Sequence, residues 1–185
     1  MNKLILATEK GIVFCEKESN DWTEASNGLT DQDVTSVTAR EGMILAGTTN
    51  GIFRSDDKGQ TWKEASNGLT ARHIRWMAFH PDGSNLVLAG TEPANIFLSH
   101  DNGDTWRACP EVAQLRDQFR WSLPYSPEAG CVRGFDFHGD RAYAAVEVGG
   151  VLRSDDLKLT VGKKGAEPVR LPLPSPAANQ GPAPK

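Results

Sequence analysis

The sequence predicts an all-β protein, a β-propeller whose blades are four-stranded antiparallel sheets. Two observations predict this fold class: a segment that repeats about every 40 residues, and short apolar runs between turn residues. Residues 24–30 (Glu-Ala-Ser-Asn-Gly-Leu-Thr) recur unchanged as residues 64–70, 40 positions further along the chain. A repeat of this length holds four short strands, and a ring of such repeats forms a propeller. A β-sandwich uses similar strands, but it does not explain a fixed period.

The apolar runs divide each repeat into strands, because they are rich in β-branched residues and are bounded by Gly, Asn or Asp. The first repeat begins with a strand at residues 4–8 and lacks the innermost strand of the later repeats. The predicted strands of the next two repeats are 34–40, 43–48, 51–55 and 61–65, and 74–79, 85–91, 95–99 and 105–108. The last repeat gives 132–137, 141–147 and 151–154. The chain is therefore predicted to hold a partial propeller of about three and a half to four blades.

An octet of the form Ser-x-Asp-x-Gly-x-Thr-Trp stands at one turn of each complete repeat. It occupies residues 55–62 and 99–106, and a third copy begins at residue 154 and then breaks off. The aspartate is expected to accept backbone N–H bonds across the turn, while the glycine allows a backbone conformation that a Cβ would obstruct. Residues that recur in every blade are structural rather than catalytic, because a propeller has one central site. The predicted structural residues are Ser55, Asp57, Gly59, Thr61, Trp62, Ser99, Asp101, Gly103, Thr105, Trp106, Ser154 and Asp156.

The octet is similar to the Asp-box, also called the BNR repeat. On this motif residues 1–156 resemble the BNR/Asp-box propellers, a WD40/YVTN/BNR-like group that includes sialidases, sortilin-type receptors and photosystem II assembly factors. The resemblance implies a propeller whose octets lie on the face away from the ligand. These families perform unrelated functions, so the resemblance implies a fold more strongly than an activity.

Composition and charge exclude several classes of function. The chain has 185 residues, of which 38% are hydrophobic, and a formal net charge of −4. We expect no nucleic-acid partner, because nucleic-acid binding requires a basic face. No apolar run approaches the ~18 residues of a membrane span, and the apolar start is too short for a signal peptide, so we expect a cytoplasmic protein. No metal-ligand spacing or phosphate-binding loop occurs, so the sequence predicts neither a metal nor a cofactor.

One inter-blade loop is much longer than the others and is a candidate binding site. Loops between second and third strands and between blades share one face of a propeller, where ligands bind. The long segment, residues 107–131, contains a predicted short helix at 110–117. Its aromatic residues can stack on a sugar or peptide, or the segment can plug the channel with Trp121 as buried packing. Arginines of this face can hold a carboxylate. The candidate ligand-binding residues are Arg72, His73, Arg116, Arg120, Trp121, Tyr125 and Arg133.

Two glutamates are weak candidates for catalysis. Glu92 and Glu147 each follow a second strand and should lie at the channel mouth. Two acids near arginines resemble the carboxylate pair of a glycosidase or a sialidase. Sialidases, however, hold the substrate carboxylate with three arginines from separate blades and use a Tyr/Glu nucleophile pair. Arg75 joins the arginines above as a candidate for such a set, but no Tyr/Glu pair is evident, and the catalytic residues stay unknown.

Residues 157–185 depart from the repeat pattern. They contain six of the eleven prolines, so we expect a disordered tail. The tail begins in the middle of the third octet, which favours the hypothesis of a truncated or frame-shifted longer propeller, or of a fusion. A seven-bladed ring needs about 300 residues, so the chain is expected to form an arc. The open blade edges of an arc can associate with a second copy.

Three functions are compatible with these patterns. The leading hypothesis is a non-catalytic binding or assembly scaffold in a bacterial cytoplasm, with a protein partner or a carbohydrate-like ligand. The alternative is a sialidase-like glycoside hydrolase with its site on the inter-blade loops. The third is a fragment without independent activity.

Overall fold

Four antiparallel sheets follow one another along the chain. The computed structural model describes residues 3–82, 85–123 and 130–155. Within these residues the sheets contain three, four, four and three strands, as the repeat pattern predicts. The predicted disordered tail at 157–185 and the octet residue Asp156 lie outside the described residues.

The strands run in chain order through each sheet. The first sheet contains β1 (Lys3–Thr8), β2 (Gly11–Glu18) and β3 (Asp21–Gly28). The second contains β4 (Val34–Arg40), β5 (Met43–Thr48), β6 (Gly51–Ser55) and β7 (Lys63–Glu64). The third contains β8 (His73–Phe79), β9 (Val87–Glu92), β10 (Ile96–Ser99) and β11 (Arg107–Ala108). The fourth contains β12 (Val132–His138), β13 (Arg141–Val146) and β14 (Gly150–Ser154), and the helix α1 (Pro110–Phe119) precedes it.

The sheets are arranged as the blades of a partial β-propeller. Consecutive strands of each sheet pair antiparallel, and the first strands of neighbouring sheets, β4 with β8 and β8 with β12, contact each other. These three strands therefore form the inner edge of the blades. In the first sheet β1 pairs with β2 in the register that β5 has with β6, so this sheet has no counterpart of the inner strand. The fold class predicted from the repeat is confirmed.

The fourth strands are shorter than predicted. β7 and β11 contain two residues each, whereas the sequence predicts strands at 61–65 and 105–108. The octet turn explains the difference, because Thr61 and Thr105 use their backbone N–H groups to bind octet aspartates instead of extending the strand. The predicted helix is present, begins with Pro110 in its first turn and extends two residues further than expected.

Each pair of neighbouring sheets encloses its own hydrophobic core. The same two positions meet in all three cores: an isoleucine at the first or second residue of the third strand of one blade (β6 and β10, with β2 as the counterpart in the first sheet), and an alanine in the second strand of the next blade. Since side chains alternate across a strand, each blade thus presents one apolar face to each neighbour. The meeting pairs are Ile12 with Ala46, Ile52 with Ala89, and Ile96 with Ala144.

The octets form hydrogen-bonded turns. Ser55 Oγ donates to Asp57 Oδ1 at 2.8 Å and accepts from the Gly59 N–H at 2.8 Å. The Thr61 N–H and hydroxyl donate to the two oxygens of Asp57 at 2.9 and 2.6 Å. The second octet repeats every one of these contacts with Ser99, Asp101, Gly103 and Thr105. This geometry fits the structural role that the sequence predicts for these residues.

The glycine of each octet packs against the preceding blade. Gly59 has a φ of 92°, and a Cβ on it would lie 2.2 Å from Cζ of Phe14. We expect Gly59→Ala to lower the free energy of unfolding by about 2–3 kcal/mol, because it combines a left-handed backbone with overpacking. Gly139→Ala is the matched control, since Gly139 has a φ of 56° and nothing within 4 Å of the added atom. Urea denaturation measures both variants, and equal losses would show that contact with Phe14 contributes nothing.

Candidate functional site

The three inner strands carry a β-bulge at equivalent positions. The pairing register shifts between Val34 and Ser36 in β4, between Ile74 and Trp76 in β8, and at the corresponding place in β12. The bulged residues are Thr35, Arg75 and Arg133. A bulge releases one residue from the ladder and redirects its side chain, and bulges often lie beside functional sites.

In the third sheet the bulged arginine lies beside the predicted glutamate. Arg75 Nη1 is 3.6 Å from Glu92 Oε2, and His73 Nδ1 is 3.9 Å from the same oxygen. His73 and Glu92 are register partners on β8 and β9, so the pairing of the strands places them together. About a third of each of these three side chains is exposed to solvent.

The fourth sheet repeats this arrangement with a tighter contact. Arg133 Nη2 donates to Glu147 Oε1 at 2.8 Å, and the Cys131 N–H donates to Glu147 Oε2 at 3.4 Å. The hydrogen bond from Arg133 lowers the pKa of Glu147 below its usual value of 4.5, against the effect of desolvation. Burial, followed by the hydrogen bond to Glu147, raises the pKa of the Cys131 thiol. We call His73, Arg75, Glu92, Arg133 and Glu147 the charged cluster.

The two halves of the charged cluster act on each other. The hydrogen bond to Glu147 is the largest of the contributions that raise the pKa of Arg133, and the charge of Glu92 contributes in the same direction. Both carboxylates stand where a second strand ends, so they lie at the same end of adjacent blades. The sequence predicts this common end for Glu92 and Glu147 from their place after the second strand.

We expect Arg133→Thr to raise the pKa of Glu147 towards its ordinary value, because the substitution removes the principal hydrogen bond to the carboxylate. Threonine is the natural residue at the equivalent bulge, Thr35. Titration of the side-chain carboxyl carbon by NMR measures the change. Arg75→Thr is the control and should shift Glu147 less, since the structure pairs Arg75 with Glu92. A pKa unchanged in the Arg133 variant would contradict the assignment.

The other candidate arginines are held by structural contacts or lie apart from the charged cluster. Arg72 donates to the Asn50 carbonyl at 2.8 Å and pairs with Glu64. Arg116 donates to the carbonyl of Ala94 at 3.2 Å and so attaches α1 to the loop after β9. Arg120 is exposed at the C-terminal end of α1, in the left-handed conformation.

Two further residues that the sequence singles out lie away from the charged cluster or outside the described structure. Ser154 ends β14, and Tyr125 lies outside the described residues.

Trp121 does not have the exposure that a stacking role requires. Only 4% of its surface is accessible, and it belongs with Val112 of α1 to the core between the third and fourth sheets. The burial leaves no ring face for a ligand, so the packing alternative fits the described structure and the stacking role does not. Cys109, at the start of α1, is a free thiol whose pKa is raised to about 12 by burial and by the charge of Glu111.

The charged cluster offers carboxylate and guanidinium groups rather than a metal site. Within residues 3–82, 85–123 and 130–155 no three His, Cys, Asp or Glu side chains are grouped to hold a metal ion. Those residues also contain no helix that is long and apolar enough to cross a membrane. The cluster can bind charged groups of a ligand through two arginines and two glutamates that are partly exposed.

The bulges are the feature that sequence reasoning missed, although a signal for them exists. The inner strands read Val-Thr-Ser-Val, Ile-Arg-Trp-Met and Val-Arg-Gly-Phe at residues 34–37, 74–77 and 132–135. The apolar residues are three positions apart, whereas the alternation of a regular strand places them two apart. The extra position is the bulge, and it identifies Arg75 and Arg133 as equivalent residues of neighbouring blades.

Four successive antiparallel meanders, the last three with their inner strands in contact, define the class of protein, a β-propeller. The chain belongs to the family described as the DUF6242 beta propeller domain, which matches residues 2–127. A search of curated proteins gives no match.

Several solved structures are similar to this chain at low sequence identity. The Niastella koreensis GH74 enzyme is 18% identical with a TM-score of 0.51, over 82% of this chain and 26% of that chain. The computationally designed Ika4 protein is 13% identical with a TM-score of 0.55, over 83% and 85%. YCF48 bound to D1 peptide is 13% identical with a TM-score of 0.46, over 81% and 60%. The chain thus spans about a quarter of the GH74 enzyme and under two thirds of YCF48.

Proposed function

We propose that the chain is a non-catalytic propeller of the BNR/Asp-box type, which binds a protein partner at the end of the blades that carries the charged cluster. The two octets follow the Asp-box pattern in sequence and in hydrogen bonding. They connect third to fourth strands, whereas Glu92 ends a second strand and Glu147 directly follows one, so octets and cluster lie at opposite ends of the blades. The predicted cytoplasmic location forms part of this proposal.

One observation carries the proposal: each carboxylate of the charged cluster faces an arginine. A glycosidase requires a carboxylic acid that keeps its proton near neutral pH, and such an acid has a raised pKa. The pKa of Glu147 is instead lowered by its hydrogen bond from Arg133. A surface of paired opposite charges, each partly exposed, suits a protein partner that carries both signs of charge.

Selection from a displayed random peptide library tests the proposed binding face. Peptides selected by the wild-type chain are expected to bind the double variant Arg75→Thr/Arg133→Thr at least about tenfold more weakly, a change of about 1.4 kcal/mol. Arg107→Thr is the control, because Arg107 is exposed on β11 and outside the charged cluster. Peptides that bind the double variant as tightly as the wild type would place the binding surface elsewhere.

A glycoside hydrolase is the second candidate function, favoured by the position of Glu92 and Glu147 at the same end of adjacent blades. A panel of chromogenic aryl glycosides that includes a sialoside distinguishes the two functions. The scaffold proposal expects the wild type and Glu92→Gln/Glu147→Gln to give the same background rate. Hydrolysis by the wild type that the double variant lacks would overturn the scaffold proposal and establish the hydrolase.

A further inference from the structure

Among the described residues, the first sheet has one apolar face that no other sheet covers. Ile5 and Ala7 pack into the core shared with the second sheet, so Leu4 and Leu6 point to the opposite side of β1. Val13 pairs with Leu6 across β2 and therefore shares its side of the sheet. We call Leu4, Leu6, Val13 and Trp22 the leading face, and 39% of Leu4, 40% of Leu6 and 46% of Trp22 are exposed.

The fourth sheet has a corresponding face at the other end of the arc. Ala142 and Ala144 pack into the core shared with the third sheet, so Tyr143 and Ala145 point away from that core. Val151 pairs with Ala145 across β14. We call Tyr143, Ala145 and Val151 the trailing face. No hydrophobic core within the described residues joins the first sheet to the fourth.

The trailing face holds a residue whose three counterparts are buried. Val151 occupies the place of Ile12, Ile52 and Ile96, which are the first or second residues of β2, β6 and β10, the strands equivalent to β14. These isoleucines are 0%, 0% and 8% exposed because the next blade covers them, whereas 49% of Val151 is exposed. Within the described residues, no following blade presents the face that covers the equivalent isoleucines.

The leading face holds the complementary residue. Leu6 pairs with Val13 in the register that Ala46 has with Phe53, and it has the same place as Ala89 and Ala144 in later blades. In the three cores these alanines meet the isoleucines of the preceding blade and are at most 4% exposed. Leu6 is 40% exposed. The two uncovered faces are thus the two halves of a contact that the chain already makes three times.

We propose that the trailing face of one copy of this chain packs on the leading face of a second copy, and that two such contacts close a head-to-tail dimer. The occupant is a second copy because each copy carries both halves of the contact. A contact between unlike faces closes into a ring when its rotation permits. Two copies supply eight sheets, which lies within the usual range of four to eight blades. This inference does not depend on the proposed function.

Light scattering coupled to size exclusion tests the dimer. The wild type is expected at twice the chain mass of 20.1 kDa. Leu6→Lys and Val151→Glu are each expected to weaken dimerisation at least about tenfold, since either places a charge in both contacts. Phe119→Glu is the control, because Phe119 is similarly exposed but lies on α1, outside both faces. Circular dichroism melts establish that each variant is folded.

Mixing the Leu6→Lys and Val151→Glu variants separates head-to-tail contact from other modes of association. A mixed dimer has one contact that is wild type on both sides. In its other contact the introduced ammonium group faces the introduced carboxylate, so we expect the mixture to recover the dimer mass. A monomeric wild type overturns the proposal. A dimer that survives Val151→Glu alone also overturns it, because two leading faces would then be in contact.

Discussion

Trp106→Ala is expected to lower the free energy of unfolding by about 3–5 kcal/mol, the usual cost of removing a buried tryptophan. Trp106 is 5% exposed and packs with Leu45 and Phe97 in the core between the second and third sheets. Its Nε1 donates to the carbonyl of Ala65 at 2.9 Å, so the side chain joins two blades by packing and by a hydrogen bond. Since domains are commonly stable by about 5–15 kcal/mol, urea denaturation should show a much lower midpoint.

Trp22→Ala is the matched control because Trp22 has the same place in the repeat. No blade among the described residues covers it, and nearly half of its surface is exposed. We expect a loss below about 1 kcal/mol at a chain concentration low enough to keep copies apart. Equal losses for the two substitutions would show that burial between blades does not determine the contribution of this tryptophan.

Asp101→Asn is expected to cost about 2 kcal/mol at neutral pH, because it breaks the hydrogen bonds of the second octet. The Asp101 carboxylate accepts hydrogen bonds from Ser99 Oγ, from the Thr105 hydroxyl, and from the N–H groups of Asp104 and Thr105. An asparagine turns one of its two oxygens into a donor, which then faces another donor. Solvent near this partly exposed turn reduces the cost below that of a buried charged group. The urea midpoint measures the loss.

The same substitution should reduce the sensitivity of the fold to acid. Burial raises the pKa of Asp101, but the hydrogen bonds from Thr105 and Ser99 outweigh it and hold the pKa at about 2. Thr61, followed by Ser55, holds the pKa of Asp57 at about 2. Because both values lie below the ordinary 3.8, the stabilisation is present above about pH 4 and is lost as the pH falls towards 2.

Urea midpoints measured between about pH 6 and 2 test this expectation. The wild type should lose stability steeply below about pH 4, and Asp101→Asn should lose less because one of the two groups no longer titrates. Asp140→Asn is the control, since Asp140 is exposed in the turn between β12 and β13 and lies outside both octets. An unchanged acid dependence in the Asp101 variant would contradict the role assigned to its carboxylate.

The fold was predictable from the sequence because a propeller repeats its local chemistry. The period, the apolar runs and the octets each specify interactions within one blade or between adjacent blades, such as those of Ser55 and Asp57. The short β7 was not predictable from strand propensity alone, because its first expected residues are used in the octet turn.

The candidate site was predictable only in part, since it depends on side-chain direction. The position of Glu92 and Glu147 after second strands follows from topology, and the structure places them at one end. The pairing of Arg75 with Glu92 depends on a bulge, which propensity does not indicate. Burial of Trp121 depends on how α1 packs against the third and fourth sheets, and no local pattern specifies that contact.

The bulge that β4, β8 and β12 share allows different side chains to occupy one structural position in neighbouring blades. Because Arg75 and Arg133 stand outside the strand ladder, the backbone pairing around them does not require their side chains. The Thr35 hydroxyl, in contrast, donates to the carbonyls of Gly47 and Ile74. The bulge position holds a threonine in the second sheet and an arginine in the third and fourth sheets, with the same shift of the pairing register. At the two arginine positions the face can therefore acquire a different charge pattern, one blade at a time, while the backbone hydrogen bonds within each sheet stay as they are.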